Sequence, residues 1–346
     1  NSSRSNPYVG GLAGYNRGNV TNCSVSGSIT ATESGAYIGG LVGGSSGGTI
    51  DNNSSSCIVT GGENVSNAVG GLIGYSSSTN ITNSHSTGNV TGSSSVGGLV
   101  GDSYAGNITT CYSTGNVTGT PYYGAIGGLA GYASGTITEC YSIGNVNGEP
   151  SISGSTGTYS AGGLVGQFSG SMTNSYSTGN VILSDSHNDT YQGGFIGSVF
   201  TNSAIIENCY STGNVTNDKP SGGVTMGGFI GSTRSSMGTI YNPTVTSSYF
   251  PDTMEVGTYG KGTPLSATEL IQRASYSGWD FDADWKIGEG AASPTLRWQP
   301  WTPDERITAA YDALAWDDIK DTNTLITEVT ADLDLIETGA QSTSIS

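Results

Sequence analysis

A Gly-Gly-Leu/Phe-x-Gly pattern recurs along most of the chain and constrains its fold more than any other feature. Successive copies start 27 to 35 residues apart. A period of this length is typical of solenoids, in which each repeat stacks on the next and buries a face that it cannot bury alone. The copies begin at Gly10, Gly39, Gly70, Gly97, Gly127, Gly162, Gly193 and Gly227.

Each copy leads into two further blocks, one reading Ile/Val-Thr-Asn-Cys/Ser and the other Tyr-Ser-Thr-Gly-Asn-Val. All three blocks are short, are bounded by Gly, Ser or Asn, and lack helical spacing. We therefore predict an all-β fold, a triangular β-solenoid with three strands per coil and about eight coils, one for each Gly-Gly copy. The usual handedness of parallel crossovers predicts a right-handed winding.

The aliphatic or aromatic residue after each Gly-Gly pair is expected to point into the solenoid. Stacking of identical repeats would align these side chains in one buried column. The predicted column contains Leu12, Leu41, Leu72, Leu99, Leu129, Leu164, Phe195 and Phe229.

The three-block repeat, which runs from about Val9 to Phe250, resembles the GLUG-motif proteins. GLUG repeats occur in bacterial and archaeal surface proteins, often large adhesin-like chains, and in non-catalytic regions of some IgA-cleaving metallopeptidases. The resemblance implies a non-catalytic structural or adhesive segment of an extracellular or cell-surface protein, with no cofactor.

The sequence predicts three regions: the solenoid at 1–250, a C-terminal cap at 251–301 and a short α/β tail at 302–346. Within the cap, the segment Ala267–Trp298 carries large aromatic residues and resembles the region that usually closes such arrays, and it would cover the open end of the solenoid. In the tail, Thr302, Pro303 and Glu305 form a helix start, and strand-like sequence follows. The tail resembles the opening of a bacterial immunoglobulin-like module. It is predicted to be either a partial module of this kind or a segment that joins chains into an extracellular filament.

Charge and hydropathy limit the partners. The net charge is −17, and only 10 residues are Lys or Arg, so binding to a phosphate backbone is not expected. No apolar run is long enough to span a bilayer, and the start does not resemble a signal peptide. The expected partners are other surface-protein modules, further copies of the chain, glycans, or the surface of a host or neighbouring cell.

Asparagine recurs in two roles. Sequons predict glycosylation in an exported protein, and the candidates are Asn19, Asn80, Asn89, Asn107, Asn116 and Asn214. The asparagine of each Gly-Asn-Val block is expected to form a structural ladder between coils, which would contain Asn89, Asn116, Asn145, Asn180 and Asn214. Asparagine also tolerates the left-handed turn expected after the glycine of this block. The same structural interpretation applies to a second set, which contains Asn22, Asn83, Asn174 and Asn208.

The cysteines are expected to be buried and reduced, because no CxxC pair is present and their number is odd. Serine takes the same place in other repeats, which indicates a small inward residue. The geometry of stacked coils also permits a bridge between Cys111 and Cys140. The predicted column contains Cys23, Cys57, Ser84, Cys111, Cys140, Ser175, Cys209 and Ser248.

A tyrosine follows this column in several repeats, and strand alternation places it on the opposite, outer face. Exposed rings in a row can stack on sugars or on a protein partner, although packing between coils explains the pattern as well. The candidate surface-binding stripe is Tyr112, Tyr141, Tyr176 and Tyr210.

Catalytic and metal motifs are weak. Asp280-x-Asp282-x-Asp284 starts like a calcium loop, but Trp285 stands where that loop needs Gly, so strand alternation is the simpler interpretation. Residues 43–47 match a nucleophile elbow without its strand–turn–helix context, and His85 and His187 show no metal pattern.

A carbohydrate-active β-helix enzyme is the alternative from another class. Such an enzyme needs clustered carboxylates with Arg or Lys nearby. The acids of the repeats occur singly in different blocks, as Glu33, Asp102, Glu139 and Glu207.

Overall fold

The structure is a computed structural model, and it assigns most of the chain to short parallel strands. The residues that it describes are 7–32, 35–62, 66–119, 124–148, 159–184, 190–218, 224–254 and 260–301, with Pro303 and Arg306. The chain divides into two compact units, one of residues 1–267 with 277–279 and the other of residues 268–276 with 280–346.

The first unit is a β-solenoid built from five parallel sheets, which we number in the order in which a repeat passes through them. Sheet 1 ends at the first glycine of each Gly-Gly pair and contains Tyr8–Gly10, Ala36–Gly39, Ser66–Gly70, Ser95–Gly97, Gly124–Gly127, Tyr159–Gly162, Thr190–Gly193 and Val224–Gly227. Sheet 2 follows each pair and contains Ala13–Asn16, Val42–Ser46, Ile73–Ser77, Val100–Tyr104, Ala130–Ala133, Val165–Phe168, Ile196–Val199 and Ile230–Ser232.

The other three sheets come from the second and third sequence blocks. Sheet 3 contains Val20–Thr21, Thr49–Asp51, Asn80–Thr82, Asn107–Thr109, Thr136–Thr138, Ser171–Thr173, Ile205–Glu207 and Thr244–Thr246. Sheet 4 contains Ser24–Val25, Ser54–Ser55, His85–Ser86, Tyr112–Ser113, Tyr141–Ser142, Tyr176–Ser177, Tyr210–Ser211, Tyr249–Pro251 and Thr263–Leu265. Sheet 5 contains Ser28–Ala31, Ile58–Gly61, Val90–Gly92, Val117–Gly119, Val146–Gly148, Val181–Leu183 and Val215–Asn217.

The predicted β-solenoid is confirmed, but three strands per coil is wrong, because each full repeat contributes five short strands. The triangular outline, the eight coils and the right-handed winding stay predictions. The sequence blocks bend in their interiors. In the first block the strand stops at Gly97 and resumes at Val100, and a Cβ on Gly98 would overlap the carbonyl oxygen of Gly128 and the hydroxyl of Ser113. Only glycine permits coils to approach so closely at this corner.

A second corner separates sheets 3 and 4. The residue between their strands has a positive φ, for example 48° at Asn83 and 54° at Thr110. Asparagine tolerates this left-handed conformation better than most residues. The left-handed conformation is confirmed at Asn22, Asn83, Asn174 and Asn208, but it is wrong for the asparagines of the Gly-Asn-Val blocks, none of which has a positive φ.

The repeats stack in register, so that equivalent residues pair from strand to strand. Ile81 pairs with Ile108, and Ile108 pairs with Ile137. The column after the Gly-Gly pairs is inward as predicted, with Leu41 to Phe229 fully buried. Leu12 is different, with 51% of its surface exposed, because it lies in the first described repeat and no described strand pairs on its other side.

The core consists of two clusters of buried side chains. One follows sheets 2 and 3 together with the column after the Gly-Gly pairs, and it includes Leu129 and Ile137. The other follows sheets 1 and 5, and it includes Ile126 and Val146. The first cluster ends at a fully buried Phe250, against which Met254 packs.

Part of the predicted cap belongs to the solenoid unit. The strand Thr263–Leu265 extends sheet 4 in parallel beyond residue 250. The indole N–H of Trp279 donates to the carbonyl oxygen of Ser247 at 2.9 Å, and the ring centroid lies 6.0 Å from those of Tyr210 and Tyr249.

The second unit contains two short 3₁₀ helices, Glu269–Ile271 and Arg273–Ser275, and an antiparallel pair, Trp285–Lys286 with Thr295–Leu296. Trp285 is fully buried. Apart from Pro303 and Arg306, the predicted tail at 302–346 lies outside the described residues. Among the described residues, no helix has the length and apolar character that crossing a membrane requires.

Candidate functional site

The predicted tyrosine stripe is a stack of parallel rings on sheet 4. Tyr112, Tyr141, Tyr176 and Tyr210 follow one another with ring centroids 4.9 to 5.1 Å apart and interplanar angles of 1° to 8°. His85 begins the stack, 4.6 Å from Tyr112. The in-register pairing of sheet 4 holds the rings at the spacing of its strands.

The exposure predicted for this stripe is wrong. Tyr141, Tyr176 and Tyr210 are 9%, 3% and 1% exposed, and Tyr112 is half-buried. Parallel stacking covers both faces of each inner ring. Burial also raises the pKa of Tyr112 and lowers the pKa of His85. The stack is therefore a structural element along most of its length.

A second stripe of tyrosines lies on sheets 1 and 2, and the sequence analysis missed it. Its rings succeed one another with centroid distances of 4.7 to 5.7 Å. We call it the tilted stripe, and in order it contains Tyr15, Tyr8, Tyr37, Tyr75, Tyr104 and Tyr132.

The tilted stripe differs from the sheet 4 stack in ring orientation and in exposure. One pair, Tyr8 and Tyr37, is stacked at 16°, and the other neighbours meet at 36° to 67°. Tyr15 and Tyr104 keep 39% and 40% of their surface exposed. The signal in the sequence was a tyrosine after Gly-Leu-x-Gly, which occurs at Tyr15, Tyr75 and Tyr132. This signal is weaker than the Tyr-Ser-Thr-Gly motif because other residues fill the remaining copies.

Asp102 lies within the tilted stripe, paired in register with Tyr75 on one side and Tyr132 on the other. Its Oδ1 is buried without a hydrogen-bond partner. Burial raises the pKa of this carboxyl to about 6, against a hydrogen bond from Ser95 that lowers it. Burial and the nearby Asp102 charge raise the pKa of Tyr104.

The other acids of the solenoid make contacts between coils. The Thr246 hydroxyl donates to Glu207 at 3.3 Å, and the Thr110 hydroxyl donates to Glu139 at 3.5 Å. Glu33 and His187 lie outside the described residues. In the described part of the chain, no three His, Cys, Asp or Glu side chains are grouped closely enough to hold a metal ion.

The small inward residue predicted between sheets 3 and 4 forms a hydrogen-bonded ladder. The backbone N–H of Ser84 donates to the sulfur of Cys111 at 3.4 Å, and that of Cys140 donates to the hydroxyl of Ser175 at 3.1 Å. The residue at this position must therefore be small and must accept a hydrogen bond. All five cysteines are free thiols.

Cys57 does not belong to this ladder, which corrects the predicted column. Ser54 pairs with Ser24, so the residue equivalent to Cys23 is Asn53. The Asn53 side chain accepts the N–H of Cys23 at 2.9 Å. Cys57 is buried in the core cluster of sheets 1 and 5. The alignment of the repeats by sequence was wrong here, because the second repeat enters sheet 4 with serines in place of Tyr-Ser.

The asparagine ladder at the start of sheet 5 is confirmed as structural. The N–H of each asparagine donates to the side-chain oxygen of the previous one at 2.9 to 3.0 Å, through Asn89, Asn116, Asn145, Asn180 and Asn214. The six sequon asparagines are all exposed. Their glycosylation stays a prediction.

Two weaker motifs have structural explanations. The Asp280 carboxylate accepts the N–H groups of Asp282 and Ala283, both at 2.8 Å, so this segment is a turn and the predicted strand alternation is wrong. Those two hydrogen bonds also lower the pKa of Asp280. Ser45 lies buried inside a sheet 2 strand, so residues 43–47 do not form an elbow.

These observations define a class: a glycine-rich parallel β-solenoid, held together by ladders of Asn, Ser, Cys and Tyr. The GLUG motif matches six segments, at residues 5–30, 65–91, 92–118, 122–147, 157–182 and 189–216. The chain is a GLUG-repeat protein. Repeats of this kind are typical of surface and secreted proteins.

Among solved structures, the chain is similar to the crystal structure of a putative immunoglobulin A1 protease from Bacteroides ovatus. The two chains are 20% identical, the TM-score is 0.45, and the match covers 82% of this chain and 76% of the other. No curated protein matches this chain in sequence.

Proposed function

We propose that this chain is a non-catalytic structural and adhesive segment of a cell-surface or extracellular protein. The observation that carries the proposal is the continuous in-register stacking of the repeats, in which every sheet, both core clusters and the polar ladders run from coil to coil. Hydrogen bonds and buried apolar contacts between all neighbouring coils favour a stiff spacer. Its partners would be other surface-protein modules, copies of itself, or glycans on another cell.

The positions and hydrogen bonds of the acidic residues in the solenoid support the proposal that the chain is non-catalytic. Hydrolysis of a glycosidic bond generally needs two carboxylates at a defined separation. Within the strands of sheets 1 and 2, Asp102 is the one charged residue. Glu139 and Glu207 accept hydrogen bonds from threonines of neighbouring coils, which suits a structural role.

The proposal can be tested with beads coated with the full chain. We expect the beads to be retained under flow on layers of bacterial or host cells, or on one another, more strongly than beads coated with a non-adhesive protein of similar charge. The same preparation should release no product from polysaccharides or immunoglobulins. Loss of retention on every surface would contradict the adhesive role, and turnover of any of these substrates would contradict the non-catalytic role.

A further inference from the structure

Among the described residues of the solenoid, the two exposed tyrosines, Tyr15 and Tyr104, belong to the tilted stripe on sheets 1 and 2. We propose that this stripe binds an extended, uncharged oligosaccharide, each sugar lying against one tyrosine ring. This inference rests on the proposed adhesive function and identifies both the surface and the class of its ligand.

Ring geometry is the first argument. In the sheet 4 stack, neighbouring rings are parallel within 8° and cover each other's faces. In the tilted stripe, the pairs other than Tyr8 and Tyr37 meet at 36° to 67°, and Tyr15 and Tyr104 keep 39% and 40% of their surface exposed. The C–H face of a pyranose ring stacks on such a surface, as other apolar groups do.

Spacing is the second argument. Tyr15 lies in the same coil as Tyr8, whereas from Tyr8 to Tyr132 the coil repeat sets centroid distances of 4.8 to 5.7 Å, close to the strand separation of about 4.8 Å. This distance is similar to the length of one pyranose unit in an extended chain. Consecutive sugars of a linear glycan would therefore meet consecutive tyrosines without a change of register.

The chemistry around the rings is the third argument. Half-buried Ser46 and Ser77 lie on sheet 2 beside the stripe, and the hydroxyl of Ser169 lies 3.2 Å from that of Tyr132. Hydroxyl groups of this kind fix the orientation of a sugar by hydrogen bonds. Among the described residues of sheets 1 and 2, the exposed large hydrophobic side chains are Tyr15, Tyr104 and Met226, and Leu12 is exposed beside Tyr15.

Charge separates a glycan from a single-stranded nucleic acid, which also stacks on aromatic rings. Nucleic-acid binding needs a positively charged groove along the rings. The strands of sheets 1 and 2 carry no Lys or Arg in the described residues, and the whole chain has a net charge of −17. Arg17 lies over Tyr15, 5.5 Å from the ring centroid, at one end of the stripe.

The test measures binding of the full chain to cello- and chito-oligosaccharides of increasing length by calorimetry. Affinity should rise with each added sugar and level off when the glycan spans the stripe. Tyr104→Ser should weaken binding about three- to tenfold, and Tyr104→Trp should maintain or strengthen it. Ile205→Ser is the matched control, since Ile205 is also 40% exposed but lies on sheet 3.

Circular dichroism and thermal melting establish that each variant is folded before binding is compared. The inference would be overturned if the parent bound none of these oligosaccharides, if affinity did not depend on length, or if folded Tyr104→Ser and Tyr104→Trp both bound like the parent. Bead retention distinguishes this failure from failure of the proposed function. Retention that survives Tyr104→Ser leaves adhesion intact and rejects the stripe, whereas a parent that is never retained rejects adhesion itself.

Discussion

The backbone N–H of Asn145 donates a hydrogen bond to the side-chain oxygen of Asn116, 2.9 Å away in the neighbouring coil. Equivalent bonds join the asparagines of the repeats from Asn89 to Asn214. One side chain per coil thus satisfies a backbone donor at a corner between sheets 4 and 5.

Replacing Asn116 tests the energy of this ladder. Asn116→Ala removes the acceptor, and we expect it to lower the free energy of unfolding by about 1 kcal/mol. Asn116→Asp keeps an oxygen in the same place and should lower the free energy of unfolding by less than Asn116→Ala does. Chemical denaturation of the three proteins measures both effects. Equal losses in the two variants would show that the hydrogen bond is not what stabilises this corner.

The column after the Gly-Gly pairs allows a matched comparison of burial. Leu129 is fully buried and Leu12 is 51% exposed, although both occupy the same position in their repeats. Leu129→Asp places an unpaired charge in the core and should cost roughly 3–5 kcal/mol. Leu12→Asp should change stability by less than about 1 kcal/mol. Similar losses for both variants in denaturant unfolding would contradict the described burial.

Thiol labelling tests the burial of the cysteines. Cys57, Cys111, Cys140 and Cys209 are buried, and Cys23 is partly exposed. Burial also raises the pKa of Cys140 and Cys209, so the reactive thiolate is scarce near neutral pH. We expect a maleimide or disulfide reagent to modify Cys23 rapidly and the others only after denaturation. Cys23→Ser should abolish the rapid phase, and rapid modification of several thiols in that variant would show that the column is open.

Asp102 predicts a pH dependence of stability. Its pKa in the folded chain is raised to about 6 by burial, so the folded state holds the proton more tightly than the unfolded state. The stability contributed by the protonated group is complete below the unfolded pKa of about 3.9 and is lost as the pH rises through about 6. Burial and the Asp102 charge raise the pKa of the neighbouring Tyr104, so that this phenol stays neutral throughout the range.

Asp102→Asn should remove this dependence. The variant should exceed the parent in free energy of unfolding by on the order of 2 kcal/mol above pH 6, and the difference should shrink as the pH approaches 4. Denaturation curves of both proteins across this range provide the measurement. A constant difference between the two curves would mean that Asp102 does not titrate with a raised pKa.

Much of the fold followed from local pattern. The spacing of the Gly-Gly copies and the three recurring blocks predicted a stacked β-solenoid, and the inward column from Leu41 to Phe229 and the asparagine ladder were confirmed. Such features are accessible from sequence because every copy repeats the same chemistry, so stacking aligns like with like. The number of strands per coil was not accessible from the sequence, because Gly98 and Thr110 divide the blocks through contacts with neighbouring coils.

The sequence by itself determined which residues repeat and therefore which columns the repeats form. Only the tertiary structure decided which aromatic column is covered and which is open. Tyr176 pairs in register with another tyrosine and is 3% exposed, whereas Tyr104 pairs with Ser77 and is 40% exposed. Exposure depends on the tilt of a ring against its neighbours in adjacent coils, and that tilt is set by packing between residues some thirty positions apart.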